Sequence, residues 1–222
     1  MCSAAIPLVY QTNEGDGDQF VGITDVGKRI ESQWRGNTLK NIYAINVNDG
    51  SKKLVKKDME GFIPPQYISP TGKYIMWYDS KARNYFTWDG AAVKNITEKI
   101  KVPLWDEEHD SPSNPPPYGV VKWQENEDYV FINDRYGIWK VNPESKLIPI
   151  NLVSARDKKT QYRYVQLDNE ERFIKKGQKL NFRTFNEVSK KAGLWQGSYL
   201  DDIATFKLLK PIYLDNEYSI SQ

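Results

Sequence analysis

Apolar and polar residues alternate with a period of two along much of this chain, which is the pattern of half-buried β-strands. Tyr43, Ile45 and Val47, for example, occupy alternate positions directly before an Asn-Asp-Gly sequence at residues 48–50. Such a sequence between two β runs is typical of a tight hairpin turn, because these residues tolerate positive φ angles. Segments with the i, i+3, i+4 spacing of an amphipathic helix are few. The pattern therefore predicts an all-β chain.

A longer pattern recurs on top of this alternation. It consists of a tight turn, an aromatic-rich strand, a polar link, a second strand, another turn and a third strand. It spans residues 68–97 and returns over residues 123–150 and 167–186. Residues 43–55 read as the outer part of an earlier unit, whose inner part we expect within residues 20–34. Units of about 40–50 residues with several strands each are typical of β-propeller blades.

The sequence therefore predicts antiparallel four-stranded blades of a partial or small β-propeller. We expect a single propeller region over residues 1–222, with about four to five blades or part-blades; an ordinary β-sandwich is the alternative. In the first unit, residues 22–27 are predicted to form a turn and residues 29–34 a strand. Residues 129–142 align without a gap with residues 173–186, which predicts equivalent strands in the third and fourth copies.

The turns that open the copies differ in one residue. Gly72 ends the Ser-Pro-Thr-Gly turn at residues 69–72, where proline presets φ at the second position and glycine suits the fourth. Glu127 and Glu170 stand in place of that glycine in the later copies. We therefore expect those turns to be built differently.

One insertion breaks the period at residues 99–119, with the sequence KIKVPLWDEEHDSPSNPPPYG. Its three consecutive prolines cannot donate to a β-ladder, which predicts a loop outside the sheets. The loop also contains the densest group of candidate ligands in the chain, and we expect it to contact a substrate or another domain. The candidate residues are Asp106, Glu107, Glu108, His109, Asp110 and Tyr118.

These acidic residues have two functional interpretations and one simpler alternative. Adjacent carboxylates can hold the amino terminus of a peptide or a hard cation such as calcium, which prefers oxygen ligands. A solvated acidic loop is the alternative. His109 is the single histidine of the chain and has no cysteine or second histidine nearby, so it makes a poor zinc site. We expect no metal site and no cofactor.

Four tryptophans recur on the predicted strands. They form either an aromatic platform for a sugar or a peptide, or the packing between neighbouring units that repeated aromatic residues usually provide. The residues are Trp77, Trp88, Trp123 and Trp139.

Composition narrows the range of partners. The chain has 31 basic and 29 acidic residues, a net charge of +2 and no long basic run, which argues against a nucleic-acid surface. No stretch approaches the roughly 18 apolar residues of a membrane span. Cys2 is the single cysteine, which excludes an internal disulfide, and the first residues show no signal peptide.

Two segments resemble a known family. The sequence ISPTGKYIMWYD at residues 68–79 is similar to the SPDGKY blade motif of the prolyl oligopeptidase family and of TolB-type propellers, with Thr71 where aspartate is usual. Residues 106–143 resemble a signature of large, secreted Bacteroidetes serine peptidases of that family. The chain thus looks like the N-terminal β-propeller fragment of a dipeptidyl peptidase-like serine peptidase.

The resemblance implies partners and a location. In that family an α/β-hydrolase domain follows the propeller, which screens peptides before they reach the catalytic serine. A pair of glutamates holds the amino terminus of the substrate in the related dipeptidyl peptidases. The resemblance therefore implies a peptide substrate, a C-terminal α/β-hydrolase domain as partner, and a periplasmic or secreted parent protein.

The chain itself is not expected to be an enzyme. It contains no Gly-x-Ser-x-Gly nucleophile elbow, and Gly197 and Ser198 lack the flanking glycines of that motif. The first hypothesis is a non-catalytic propeller that gates or recognises peptides. A TolB-like protein-interaction scaffold and a carbohydrate-binding propeller are the alternatives. Because an unclosed propeller leaves blade edges unpaired, we also expect association through those edges.

Overall fold

A computed structural model of the chain describes residues 8–35, 37–200 and 205–212. Cys2 and the predicted strand residues beyond Ile212 lie outside this part. The described part is all-β, as predicted, and its strands form four sheets built on four antiparallel strands each. None of its helices is long and apolar enough to cross a membrane.

Sheets 1 and 2 are antiparallel meanders in which each strand pairs with the next along the chain. Sheet 1 contains β1 (Leu8–Gln11), β2 (Gln19–Thr24), β3 (Lys40–Asn46) and β4 (Lys52–Met59). Sheet 2 contains β5 (Gly61–Phe62), β6 (Ile75–Asp79), β7 (Asn84–Trp88) and β8 (Val93–Asn95). The helix α1 (Arg29–Arg35) connects β2 to β3, and 3-10 turns occupy Asn13–Gly15 and Pro65–Tyr67.

Sheets 3 and 4 are less regular. Sheet 3 contains β9 (Val120–Gln124), β10 (Val130–Asn133), β11 (Gly137–Val141) and β12 (Ile150–Ser154). Sheet 4 contains β13 (Thr160–Val165), β15 (Lys179–Asn186), β16 (Ala192–Leu200) and β17 (Thr205–Ile212). The short strand β14 (Phe173–Ile174) joins sheet 3 as a fifth strand, parallel to β9.

The sheets stack in chain order, with an apolar core between each neighbouring pair. Successive strand residues face opposite neighbours, so Trp77 packs between sheets 1 and 2 and Tyr78 between sheets 2 and 3. In the same way, Ile132 packs between sheets 2 and 3 and Phe131 packs between sheets 3 and 4. The tryptophans therefore serve packing and form no exposed platform. The buried ones are Trp77, Trp88 and Trp123. Trp139 packs against the core between sheets 2 and 3.

Residues 29–34 belong to the helix α1, so the predicted strand there is wrong. Ile30 and Trp34 are four residues apart, a spacing that places them on one face of a helix as readily as on one face of a strand. Both side chains are exposed, at 76% and 82%. No neighbouring sheet therefore buries them and holds the segment in a strand.

The turn predicted at residues 22–27 begins later in the chain. Gly22 pairs with Tyr43 inside β2. The chain turns at Asp25, whose carbonyl accepts a hydrogen bond from the Lys28 N–H at 2.9 Å. Gly22 is thus a strand residue.

The turn at Glu127 is built like the turn at Gly72, contrary to expectation. The Gly72 N–H donates to Ser69 at 2.8 Å and the Glu127 N–H to Gln124 at 2.9 Å, and the φ angles are 83° and 58°. A left-handed conformation costs a non-glycine residue about 1–2 kcal/mol. Glu127 adopts it because its buried carboxylate accepts three hydrogen bonds from Ser69 and Thr71.

The fourth copy of the repeat pairs differently from the third. The two residues of β14 pair with Trp123 and Gln124 of sheet 3, and β13 takes the place beside β15. The alignment of residues 129–142 with residues 173–186 is therefore wrong as a guide to strand pairing. A strand of two residues is too short for its own sequence to select a pairing partner, so tertiary contacts decide which strand it joins.

Sheet 4 is also reversed relative to sheet 3. The turn after β11 lies against the end of β7, where Thr87 Oγ1 donates to Pro143 O at 2.5 Å. The turn after β15 occupies the equivalent place in the sequence pattern, yet its Glu187 contacts Arg135 and Tyr136, which precede β11. β15 therefore runs opposite to β11.

Candidate functional site

The insertion at residues 99–119 folds back on itself outside the sheets, as predicted. The Asp106 N–H donates to Pro116 O at 2.8 Å, and the Tyr118 N–H donates to Leu104 O at 2.9 Å. The loop leaves sheet 2 after β8 and enters sheet 3 at β9. It therefore lies beside the connection between these two sheets.

Arginines from the turns of sheet 3 neutralise the two glutamates of this loop. Glu107 accepts hydrogen bonds from both terminal nitrogens of Arg156, at 3.2 and 3.4 Å. Glu108 forms an ion pair with Arg135. Asp106 uses its carboxylate within the loop, where it accepts from the Glu108 N–H at 3.1 Å. The glutamates thus anchor the loop and do not present a free acidic pair.

We call these contacts, together with those of Glu187, the anchor of the insertion, and Tyr136 lies at its centre. Arg135, Arg156 and Lys159 place their cationic groups 5.2, 5.1 and 5.4 Å from the centre of its ring. The Tyr136 hydroxyl donates to one oxygen of Glu187 at 2.5 Å, and Arg135 Nε donates to the other at 2.8 Å. The cluster ties the insertion to sheets 3 and 4.

The pKa values of the anchor keep its charges fixed near neutral pH. Burial opposes the ionised form of Glu187, but hydrogen bonds from Arg135, Tyr136 and Gln161 outweigh it and lower the pKa of Glu187 to about 2. Burial raises the pKa of Tyr136 to about 12, and its hydrogen bond to Glu187 acts in the same direction. Glu187 is therefore an anion and Tyr136 is neutral.

His109 forms a contact that the sequence pattern did not reveal. Its Nε2 lies 3.2 Å from Ser113 Oγ, four residues further along the same loop. A catalytic serine–histidine pair needs a carboxylate on the other imidazole nitrogen, and the described residues supply none to His109. Nor do they contain a group of three or more His, Cys, Asp or Glu side chains that could hold a metal ion.

Asp110 and Tyr118, the remaining predicted residues, differ in their surroundings. Asp110 is exposed. The Tyr118 hydroxyl accepts from the Glu107 N–H at 3.0 Å, and the guanidinium of Arg163 lies 5.3 Å from the centre of its ring. The insertion therefore reaches sheet 4 through Tyr118.

A cleft along β9 is a second candidate site. Its volume is about 620 Å³, and it lies between the segment around Pro65–Tyr67, strand β13 and the loop before β14. We call it the β9 cleft. Its lining includes Ile68, Val121, Trp123, Asn133, Arg163 and Arg172.

β9 has an open edge inside this cleft. On that edge β14 pairs only with Trp123 and Gln124, so no described strand lies beside residues 120–122. On the other edge, the pairing of β9 with β10 shifts register around Val121. Such β-bulges are frequent next to functional sites, where they end a pairing or redirect a side chain.

Two residues of the cleft have buried polar atoms without a hydrogen-bond partner. They are the side-chain carbonyl oxygen of Asn133 and the indole N–H of Trp123. An unpaired buried group costs about 1–3 kcal/mol. One is an acceptor and the other a donor.

The β9 cleft is positively charged. Lys122 pairs with Glu171 at 3.4 Å, and although burial lowers the pKa of Lys122, that carboxylate opposes the shift. Arg172 pairs with Glu14 of sheet 1 at 2.9 Å. Arg163 donates hydrogen bonds to backbone carbonyls alone.

The repeat did not predict this cleft because β9 begins directly after the insertion, before the start of the third copy. A signal for the strand is nevertheless present. The Val-Val-Lys-Trp sequence at residues 120–123 begins a β-prone run directly after the prolines. The open edge of that strand depends on β14, which no local pattern places beside it.

A scan against protein-family models found no matching family, and a search of the curated proteins found no significant match.

Proposed function

We propose that sheets 1–3 are successive blades of a β-propeller, and that the chain is the non-catalytic part of a secreted serine peptidase that recognises extended peptides in the β9 cleft. The open edge of β9 is the observation that carries this proposal. An extended peptide adds to such an edge through main-chain hydrogen bonds, and neighbouring pockets select its side chains.

The arrangement of the sheets supports the propeller. Each of sheets 1–3 contains a four-stranded antiparallel meander, and apolar cores join them in chain order. Blades of a propeller pack in this manner. Sheet 4 covers sheet 3 in the opposite orientation, so it is an irregular end to the series.

The composition of the β9 cleft supports a peptide ligand. Its volume of about 620 Å³ falls within the range of about 300–1,000 Å³ that is usual for ligand sites. Val121 and Ile68 supply apolar surface, and the open edge of β9 supplies main-chain donors and acceptors. A peptide backbone offers partners for all of these.

The insertion has a supporting role in this proposal. Through Tyr118 it packs against Arg163, which lines the cleft, and its glutamates hold it in place. Its exposed tip around Asp110 is the surface that we propose for contact with the α/β-hydrolase domain of the parent protein.

A substitution that fills the cleft tests the peptide-binding function. Gln66 is exposed and lines the cleft, so Gln66→Trp would block it without changing a core. We expect this variant to weaken binding of the peptide acetyl-Thr-Val-Thr-Val-Thr by about tenfold or more, equivalent to about 1.4 kcal/mol. Isothermal titration calorimetry measures the affinity.

Gln11→Trp is the matched control, because Gln11 is an exposed glutamine outside the cleft. We expect this variant to bind the peptide with the affinity of the unmodified chain. Equal losses in both variants, or no binding by the parent chain, would contradict the peptide-binding function. The peptidase assignment has its own test: the gene should encode a Gly-x-Ser-x-Gly motif downstream, and a gene without one would exclude it.

A further inference from the structure

Arg163 is a cation of the β9 cleft whose described partners are all backbone carbonyls. Its Nη1 donates to Tyr162 O at 2.8 Å, and its Nη2 donates to Arg135 O at 3.2 Å. A guanidinium carries five N–H donors, and these two hydrogen bonds use two of them. The ring of Tyr118, 5.3 Å from the guanidinium, holds it in this position.

Asp134, the carboxylate of sheet 3 whose charge acts on Arg163, is hydrogen-bonded to other donors and lies 3.8 Å from Arg156 Nη2. Asp134 Oδ1 accepts hydrogen bonds from the N–H groups of Tyr136 and Gly137 at 2.6 and 2.7 Å. Its Oδ2 accepts from the indole N–H of Trp139 at 2.8 Å. Asp134 forms no described ion pair with Arg163.

The carboxylate inside the cleft is also occupied. Glu171 forms an ion pair with Lys122 and accepts hydrogen bonds from the Tyr164 hydroxyl and from Gln178 Nε2. Its negative charge therefore balances Lys122. Within the described residues Arg163 forms no ion pair, and the charge of Asp134 acts on it only from beyond ion-pair distance.

Partial burial makes the charge of Arg163 less favourable than it would be in water. It lowers the pKa of Arg163 below the usual arginine value, although an arginine side chain stays protonated in a protein. A partly buried cation that forms no ion pair is unfavourable. An anion in the cleft would offset that cost, and a carboxylate matches the planar fork of a guanidinium with two parallel hydrogen bonds.

We propose that Arg163 binds a carboxylate of the peptide in the β9 cleft, so that the ligands are peptides with a carboxylate at this position. The carboxylate belongs either to the C-terminus of the peptide or to an Asp or Glu side chain. This inference depends on the peptide-binding function proposed above and specifies the class of peptide.

Two pairs of peptides test the inference on the unmodified chain. The first is acetyl-Thr-Val-Thr-Val-Thr with a free C-terminus or a C-terminal amide. The second is the amidated peptide acetyl-Thr-Val-Glu-Val-Thr or its glutamine analogue. We expect the acidic member of one pair to bind about tenfold to a hundredfold more tightly in calorimetry at low salt. The pair that shows the preference identifies the source of the carboxylate.

Substitutions then assign the preference to Arg163. Arg163→Gln is expected to abolish the preference, so that the acidic and the uncharged member of the pair bind with equal affinity, and Arg163→Lys is expected to retain part of it. Arg83→Gln is the matched control, because Arg83 is an exposed arginine outside the cleft, in the turn between β6 and β7 of sheet 2. It should keep the full preference.

The outcomes separate the two proposals. Peptides that bind without any preference for a carboxylate, or a preference that survives Arg163→Gln, would overturn the assignment to Arg163 and leave peptide binding intact. If none of the four peptides binds the unmodified chain, both the peptide-binding function and the role of Arg163 are wrong.

Discussion

Glu127 joins sheets 2 and 3 through a carboxylate that is buried beneath the turn at residues 69–72. It accepts from Ser69 Oγ at 3.0 Å, from the Thr71 N–H at 2.5 Å and from Thr71 Oγ1 at 2.9 Å. These bonds cross between two copies of the repeat. A single side chain therefore fixes the conformation of its own turn and the position of the neighbouring one.

Removal of this carboxylate should destabilise the chain measurably. In Glu127→Ala, the donors of Ser69 and Thr71 lose their acceptor, so we expect the free energy of unfolding to fall by about 2–3 kcal/mol in urea denaturation. Glu125→Ala is the control, because Glu125 is exposed and forms only a distant ion pair, with Lys175 Nζ at 4.0 Å. That change should cost less than about 0.5 kcal/mol. Equal effects of the two substitutions would show that the Glu127 hydrogen bonds are not stabilising.

Among the secondary structure elements, the strands of sheets 1–3 could largely be predicted, because their alternation and turn residues are local signals. The helix α1 could not, since Ile30 and Trp34 fit a strand as well as a helix. β14 is too short for any pattern to reveal its partner. The insertion could be located from its prolines, but the arginines that anchor it, Arg135 and Arg156, lie 27 and 49 residues from their partners. Pairings over such distances are set by the fold.

The anchor of the insertion should weaken in acid. The folded pKa of Glu187, about 2, lies below the usual glutamate value of 4.5. Its contribution to stability is therefore complete above about pH 4.5 and disappears as the pH falls towards 2. We expect Glu187→Gln to be less stable than the parent chain at about pH 6, and the difference in unfolding free energy to shrink as the pH approaches 2.

Urea denaturation at a series of pH values measures this difference. Glu170→Gln serves as the control, because Glu170 is exposed and has no described ion pair. Its difference from the parent chain should be small at every pH. A Glu187→Gln difference that stays constant from about pH 6 to pH 2 would mean that this carboxylate does not stabilise the anchor by its charge.

In the molecule as a whole, the two outer edges of sheet 1 differ in the side chains that they expose. β4 carries lysines along the outer edge of sheet 1, including Lys53 and Lys57, and such charges discourage pairing with another chain. β1 forms the other edge of that sheet and exposes Leu8 and Val9, at 44% and 48%. Within the described residues β1 pairs only with β2. It is therefore the edge at which association is expected.

Association through β1 should depend on concentration and on the apolar character of that edge. We expect light scattering to give a mass near 25.8 kDa in dilute solution and a higher mass as the concentration rises. Val9→Lys should return the chain to the monomer, because a lysine on the edge disfavours strand pairing between chains. Val188→Lys is the control, since Val188 is also exposed, at 76%, but lies in the turn after β15. If both lysine variants behave alike, the edge of β1 does not drive association. If the unmodified chain stays monomeric at all concentrations, the stacked sheets are stable without a second copy of the chain.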